Sequence, residues 1–513
     1  MSMSGMTLAR IAMAAVALML LTASPARADW LRAESERFVI YSDGDERTLR
    51  AYAQKLETFD RVLRLFMGLS MDEAPPRKLP IYLIGHQREL IRVLPDAIQN
   101  QSGVYVPAEQ DIFAVATRSR NDDSTLLHEY AHHFMFQNFN FPYPAWFVEG
   151  FAEYYAASTI EAGRVEVGLY NENRVAWLQN GQWMQMEDLL AGRSRNARGD
   201  RFNETYYPLA WLLTHWFMSD VERRAAMQRY LADVGSGGDP VEALEQHTGL
   251  TPTALRDTLR AYMRGRIPYS RVSHPFPTVP VTIERLPRSA NDLLLINQQL
   301  KIAQGDDQDA LVSQIRALAP RHAGDPFAQL VLGRAEIMFG DPRQGETVLE
   351  ALLQQQPDNV EALQLMALAR MNEASDHPEG YDVAMQQMRA FLQRAYDADG
   401  ANYFTFLLIA QNRIGEPGYP NENDLLAWEL AYTIAPQLGH ARFGLAQALM
   451  AHDRNAEAIA LLQPLANDPH NPQNADFVRT LIARAEAGLN GDDADASHWD
   501  DADFEAMDDA GLE

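Results

Sequence analysis

The segment TLLHEYAHHFMF, residues 125–136, constrains the fold of this chain more than any other stretch. It contains the pattern His-Glu-x-x-His at His128, Glu129 and His132. Residues four apart lie on one face of a helix, so the two histidines point the same way, one turn apart. Two imidazoles in this arrangement can hold one zinc ion, and Glu129 can reach a zinc-bound water as a general base. The alternative interpretation is an amphipathic helix with incidental histidines.

A second predicted helix supplies carboxylates with the same spacing. The segment WFVEGFAEY, residues 146–154, places Glu149 and Glu153 one turn apart on one face. Catalytic zinc usually has three protein ligands and a water, so Glu149 is a sensible third ligand. Glu153 then lies behind it, where it can accept the free N–H of a ligating histidine; Glu153 as the ligand remains an alternative. Glycine costs about 1 kcal/mol in a helix interior. Its presence at position 150 suits a close approach between the two helices.

These two helices resemble the gluzincin metallopeptidases, which carry His-Glu-x-x-His on one helix and Glu on the next. The Glu often stands in a Trp-x-x-Glu-Gly-Phe-Ala context, with an acidic residue four positions later. The chain most resembles the small bacterial peptidase-MA-like group, over residues 35–265. The resemblance implies Zn²⁺ as the cofactor, and these roles: zinc ligands His128, His132 and Glu149, base Glu129, and supporting acid Glu153. Thermolysin-type members carry Asp at this last position, and the longer Glu can reach differently.

Peptide hydrolysis also builds charge on a carbonyl oxygen, so a positioned donor is expected. The segment NETYYPLAWLLTHWFMSD, residues 203–220, offers Tyr206, Tyr207 and His215. Related peptidases often place a tyrosine on a helix after the glutamate ligand, and Tyr207 is the first choice; a packing role for it is the alternative. His133 lies about 100° around its helix from the second histidine ligand and is interpreted as structural or surface.

The remaining pattern of the N-terminal half predicts a mixed domain. Apolar and β-branched runs predict strands, and a period of three to four residues predicts a long helix. The predicted strands are residues 37–42, 79–84, 104–106 and 111–117, and the long helix is 46–67. The fold class is therefore an α+β N-terminal domain, zincin-like by resemblance, with further helices over residues 124–158 and 203–264.

After residue 292 the chain becomes all-helical and repetitive. Leu332-Gly333 is followed 34 residues later by Met366-Ala367, and Pro357-Asp358-Asn359 closes the unit between them. This resembles the tetratricopeptide repeat, a helix–turn–helix unit with small residues where its helices touch. The resemblance covers residues 292–488, with insertions in two units, and implies a concave face that binds peptides or partner proteins. A helical bundle without repeats is the alternative.

The N-terminus has the pattern of a secretion signal: a positive Arg10, the apolar run Ile11 to Leu21 and Ala26-Arg27-Ala28 before the expected cut. An uncleaved anchor is the alternative. The protein is therefore expected to be periplasmic or secreted. No later run reaches about 18 apolar residues, so no stable membrane insertion is expected after cleavage.

Composition narrows the remaining classes. The net charge of −26 repels phosphate backbones, so nucleic acid is not an expected partner. There is no cysteine, so a metal must be held by His, Asp or Glu. The predicted organisation is as follows: signal peptide 1–28, gluzincin-like domain 29–267, proline-rich linker 268–291, helical repeats 292–489 and acidic disordered tail 490–513.

The leading functional hypothesis is an exported zinc metallopeptidase. A zinc-bound water would attack the amide of a peptide or protein substrate, and the repeats would present that substrate or bind a protein partner. The second hypothesis is a non-catalytic repeat scaffold with a degenerate peptidase-like domain, although a scaffold needs no general base. A hydrolase of non-peptide substrates, such as esters, is the third.

Overall fold

The computed structural model describes residues 29–95, 102–119, 123–161, 163–192, 201–303, 308–376, 378–466 and 475–490. The predicted signal peptide and the acidic tail after residue 490 lie outside the described residues. Within the described residues no helix is long and apolar enough to cross a membrane. Where the domains begin and end stays a prediction.

A six-stranded sheet, in the order β4-β5-β3-β2-β1-β9, forms the centre of the N-terminal region, and β6, β7 and β8 form a second sheet. The strands are β1 Leu31–Glu34, β2 Phe38–Ser42, β3 Leu79–Ile84, β4 Gly103–Pro107, β5 Ile112–Thr117, β6 Thr159–Glu161, β7 Arg164–Val167, β8 Ser270–Val272 and β9 Thr282–Arg285. In the large sheet β2, β3 and β5 are parallel, while β4, β1 and β9 pair antiparallel. The strands predicted from apolar runs are confirmed. β4 pairs with β5 along its whole length.

The helices of the N-terminal region lie on one face of this sheet. They are α1 Glu46–Met67, α2 Ser124–Asn138, α3 Ala145–Ala156, α4 Glu172–Asn180, α5 Met186–Leu190, α6 Arg201–Met218, α7 Val221–Gly235, α8 Pro240–Thr248 and α9 Pro252–Arg264. The long predicted helix is confirmed as α1. The side chain of Asp45 accepts a hydrogen bond from the Thr48 amide at its start, and Gly68 ends it in the left-handed conformation with φ 72°.

The helices of the repeat region follow as antiparallel neighbours. They are α10 Ser289–Lys301, α11 Gln308–Leu318, α12 Pro326–Phe339, α13 Pro342–Gln355, α14 Val360–Asp376, α15 Tyr381–Ala398, α16 Tyr403–Gln411, α17 Glu422–Ile434, α18 Gly439–Ala451, α19 Asn455–Ala466 and α20 Ala475–Asn490. A Cβ on Gly333 would lie 2.5 Å from Leu349 Cδ2, so the repeat has a small residue where α12 and α13 touch. Insertions were predicted in two units. The helices α14 and α15 have 17 and 18 residues, against 14 in α12 and in α13, which accounts for the insertion in the first of these units.

One face of the large sheet packs against α1 and α2. Alternate strand residues such as Ile40, Ile81 and Ala114 are fully buried there. Beneath them, Asp60 on α1 is buried at 1% exposure. Its carboxylate forms an ion pair with Arg37, whose Nε is 2.7 Å away, and accepts a hydrogen bond from Arg64 Nε at 2.9 Å. The hydroxyl of Tyr130 on α2 donates to the other oxygen of Asp60 at 2.6 Å. This buried network ties α2 to α1.

The opposite face of the sheet packs against α10, the first helix of the repeat region. Tyr82, Phe113 and Val115 alternate with the residues of the first face and form a cluster with Leu294 and Leu295. Both faces of the sheet are therefore covered, one by the helices of the N-terminal region and the other by the repeats.

The stretch predicted as a proline-rich linker is held by pairing rather than free. Its strand β9 pairs with β1, and its strand β8 pairs with β7. Pro275, Pro277 and Pro280 lie between the two strands and lack the N–H that pairing needs. Proline content alone does not distinguish a tether from short edge strands.

Gly150 allows a close approach, but not the predicted one. A Cβ at this position would lie 2.1 Å from Thr214 Oγ1 and 2.5 Å from the carbonyl oxygen of Ala210, both on α6. The close approach that this glycine permits is therefore between α3 and α6, and not between α3 and α2. Gly150 follows Glu149, so its position is about 100° around α3 from the carboxylate that faces the histidines.

The Gly150→Ala substitution is expected to lower the free energy of unfolding by about 2 kcal/mol. Alanine gains about 1 kcal/mol in helix propensity, but the clash with a backbone oxygen that cannot rotate away costs more. Urea unfolding measures the difference. Gly400→Ala is the matched control, since its Cβ would meet nothing nearer than 3.7 Å. Equal midpoints for the two variants would contradict this account of α3 and α6.

Candidate metal centre

The side chains of His128, His132 and Glu149 converge between α2 and α3. His128 Nε2 and His132 Nε2 are 3.0 Å apart, and Glu149 Oε2 is 3.5 Å from each of them. Donors bound tetrahedrally to zinc at about 2.0–2.1 Å are separated from one another by about 3.3 Å. The three donor atoms are therefore spaced as ligands of one ion, and they form a group that could hold a metal.

Burial and charge favour a cation at this centre. His132 and Glu149 are only 5% and 3% exposed, whereas His128 is partly exposed. Burial lowers the pKa of His128, but the hydrogen bond of Glu149 and the charges of Glu153 and Glu129 outweigh it and raise the pKa to about 9. The carboxylates around this imidazole thus favour added positive charge, which a metal ion would supply.

Glu153 lies next to His128, and it has a second partner. Its Oε1 is 3.5 Å from His128 Nδ1, while Arg174 Nη2 and Nε donate to its two oxygens at 2.6 and 2.9 Å. The Arg174 guanidinium also lies 5.4 Å from the ring centre of Tyr207. Arg174 therefore links the carboxylate behind His128 to the tyrosine beside it. Sequence reasoning missed this arginine, since a single Arg on α4 belongs to no motif.

Of the three predicted oxyanion donors, Tyr207 is the one beside the centre, with its ring 6.5 Å from that of His128. Tyr206 is buried and packs edge-on against Tyr207. His215 has a structural environment: its Nε2–H donates to the Gly168 carbonyl at 2.8 Å, and its Nδ1 accepts from the Tyr262 hydroxyl at 2.9 Å.

Glu129 lies on the side of α2 that faces the edge strand β4. A Cβ on Gly103, the first residue of β4, would lie 3.2 Å from Glu129 Cγ and 2.6 Å from Thr125 Cγ2. Strand and helix thus approach too closely for a side chain at Gly103, a requirement that the sequence alone does not reveal. The position of β4 consequently sets the space available to Glu129.

His133 does not belong to the donor group. Its Nδ1 lies 3.2 Å from the hydroxyl of Tyr105 on β4. Burial, with a smaller contribution from the charge of Arg77, lowers the pKa of His133 to about 3, so its imidazole is neutral. The structural interpretation of this histidine is the one that the geometry supports.

Comparison with known proteins finds one family match in each half of the chain. A tetratricopeptide repeat model matches residues 326–371, and a model described as a protein of unknown function (DUF1570) matches residues 122–241. The latter range contains α2, α3 and Tyr207, but neither description names a peptidase. The chain therefore carries a DUF1570 region followed by tetratricopeptide repeats, and the predicted repeats are confirmed.

No curated protein matches this chain. Among solved structures, a thermophilic tetratricopeptide repeat protein from Thermus thermophilus is 18% identical, with a TM-score of 0.31. The match covers 39% of this chain and 98% of that one.

The purified chain from residue 29 onward is expected to bind about one zinc ion, and His132→Ala is expected to lose it, since only two donors would remain of the three that catalytic zinc sites use. Elemental analysis beside protein quantification measures this. His274→Ala is the control, because that histidine contacts Phe276 in the proline-rich stretch and not the donor group. Equal zinc in both variants would show that the metal binds elsewhere.

The Glu153→Gln substitution is expected to raise the dissociation constant for zinc about tenfold, the lower end of the usual effect of residues behind metal ligands. The neutral amide holds His128 less firmly and leaves the Arg174 charge uncompensated next to the site. Competition with a chelator measures the affinity. Glu161→Gln, at an exposed glutamate on β6, serves as the control. An unchanged affinity would exclude Glu153 from the support of His128.

Proposed function

We propose that this protein is an exported zinc-dependent metallopeptidase of the gluzincin type, periplasmic or secreted, that hydrolyses peptide bonds. The observation that carries this proposal is the spacing of the donor atoms of His128, His132 and Glu149, at 3.0 to 3.5 Å from one another. Glu129 follows the first of these ligands directly in the sequence and lies half-buried on the same helix. Ligands and base thus occur together.

The donor set is compatible with zinc. Two imidazoles and one carboxylate are a ligand set of catalytic zinc sites, which keep a fourth position open. Zinc at this centre would polarise a water molecule and lower its pKa. The chain has no cysteine, so thiolate ligands that favour softer metals are absent from it.

The side chains of the protein then divide the work of amide hydrolysis. Glu129 accepts the proton that the attacking water releases and delivers it to the leaving amine. Tyr207 is proposed to donate a hydrogen bond to the carbonyl oxygen as it gains negative charge. Glu153 is held by Arg174, and its Oε1 lies 3.5 Å from His128 Nδ1. It is proposed to accept from His128 Nδ1–H when the metal is bound and so to fix the orientation of that imidazole.

The tetratricopeptide repeats support a second component of the function, since such repeats bind peptides and proteins. In the enzymatic proposal they serve substrate or partner binding. The competing candidate is a non-catalytic scaffold in which the repeats alone act and the peptidase-like region is degenerate. The presence of Glu129 beside the ligands disfavours it, because metal binding without hydrolysis has no use for a base.

The Glu129→Gln substitution is expected to retain zinc and to lower peptide cleavage by at least about a hundredfold, since the amide cannot accept the proton. Cleavage of a mixture of unstructured peptides, followed by mass spectrometry, measures the rate, and elemental analysis measures zinc. Glu161→Gln is the control and should cleave like the unsubstituted chain.

Full cleavage by Glu129→Gln would overturn the assignment of the base. A chain that binds zinc at His132 but cleaves none of the peptides would favour the scaffold over the peptidase.

A further inference from the structure

The repeat region presents one row of helices to the N-terminal region. The first helices of successive units, α10, α12, α14 and α16, pack side by side, while α11, α13, α15 and α17 lie outside them. We call the side formed by the first helices, with α18, the inner face. In repeat proteins a surface of this kind binds peptides and partner proteins.

The inner face contacts the turn between β4 and β5. Three consecutive residues of this turn, on the hairpin formed by the two strands, each accept a hydrogen bond from a different helix. The pairs are Glu109 Oε1 with Gln411 Nε2 at 3.1 Å, Gln110 Oε1 with Arg334 Nη1 at 2.7 Å, and Asp111 Oδ2 with Lys301 Nζ at 2.8 Å. The turn therefore spans α10, α12 and α16.

These contacts are half-buried, and the one between Asp111 and Lys301 is also an ion pair. The side chains of Arg334 and Lys301 are 3% and 6% exposed, so their charges are removed from water. Glu361 on α14 pairs with both cations, and Asp111 of the hairpin pairs with Lys301. Arg77 beneath the hairpin also pairs with Asp111 and lies over the ring of Tyr403 on α16. Contacts of this kind hold more firmly than surface ion pairs.

The other end of the same hairpin lies at the metal centre. β4 begins at Gly103, whose Cα leaves no room for a side chain beside Glu129. The five residues of β4 span about 16 Å. The turn lies at one end of this short strand, and Glu129 lies beside the other end. A shift of the turn on the inner face consequently moves the strand that confines Glu129.

We propose that the repeat array takes the chain's own β4–β5 hairpin as its ligand, and that this contact fixes β4 beside Glu129 and thereby sets the activity of the metal centre. The effect on activity rests on the proposed peptidase function, whereas the effect on β4 does not. A partner protein that binds the inner face at these positions has to displace the hairpin.

The double substitution Glu109→Ala/Gln110→Ala tests this by removing two of the three hydrogen bonds and leaving the buried Asp111 in place. Hydrogen exchange of the β4 amides is expected to quicken about tenfold or more, and peptide cleavage to fall by a similar factor, with zinc content unchanged. The control is Glu350→Ala/Gln355→Ala, the same residue types on α13, which lies outside the inner face.

Unchanged exchange in β4 would overturn the contact itself. Faster exchange with unchanged cleavage would overturn its role in activity. If the unsubstituted chain cleaves no peptide, the exchange result still tests the hairpin as ligand, so failure of the peptidase proposal and of this one are distinguishable.

A cross-link provides a second measurement that does not depend on a loosened variant. The Gln110 amide lies 3.7 Å from the Met338 sulfur, and the chain has no native cysteine. Gln110→Cys/Met338→Cys, joined by a short bifunctional thiol reagent, is expected to retain cleavage and slow β4 exchange. The contrary result is a cross-link that abolishes peptide cleavage, with activity restored when the cross-link itself is broken. It would show that the hairpin must leave the inner face for activity.

Discussion

The buried carboxylate of Asp60 fixes the helix on which the metal centre depends. It pairs with Arg37 and accepts hydrogen bonds from Arg64 and Tyr130, and Tyr130 is one of the two unspecified residues within His-Glu-x-x-His. Loss of a hydrogen bond to a charged group costs about 1.5–3 kcal/mol, so α2 has a preference for this one rotation about its axis. Rotation by one residue, about 100°, would turn the histidines away from Glu149. The register of the ligands is therefore fixed by contacts that include no metal.

The same helix shows how much of the site the sequence could predict. Spacing along one helix is a local property, so His128 and His132 were predictable as a pair, and a short turn to α3 made Glu149 a reasonable third donor. Arg174 was not predictable, because its contact with Glu153 depends on how α4 folds back across the centre. The predicted partner helix of Gly150 was wrong for a related reason. A glycine in a helix indicates that another segment approaches closely, but it does not indicate which one.

The same distinction applies to the fold: features set by local sequence were predictable, and contacts between distant parts of the chain were not. The apolar runs of β2, β3 and β5 and the period of α1 are local patterns, and the structure confirms the strands and the helix that they predict. Tyr82, Phe113 and Val115 show a further feature, since they alternate with equally buried residues on the other side of each strand. Such strands indicate a sheet covered on both faces, but nothing in the local pattern says that the second cover is α10. That assignment depends on chain separated by the whole helical part of the N-terminal region.

Because α10 covers one face of the sheet, the repeat region contributes to the stability of the N-terminal region. A tethered repeat domain could be removed without effect on the sheet, whereas here its removal would expose large apolar side chains, each worth about 1.5–3 kcal/mol when buried. The stability of the sheet and the position of the β4–β5 hairpin thus depend on the same array, through apolar packing at α10 and half-buried polar contacts at Arg334 and Gln411. Metal site and repeats form one structural system, in which the sheet connects the α2 face to the α10 face.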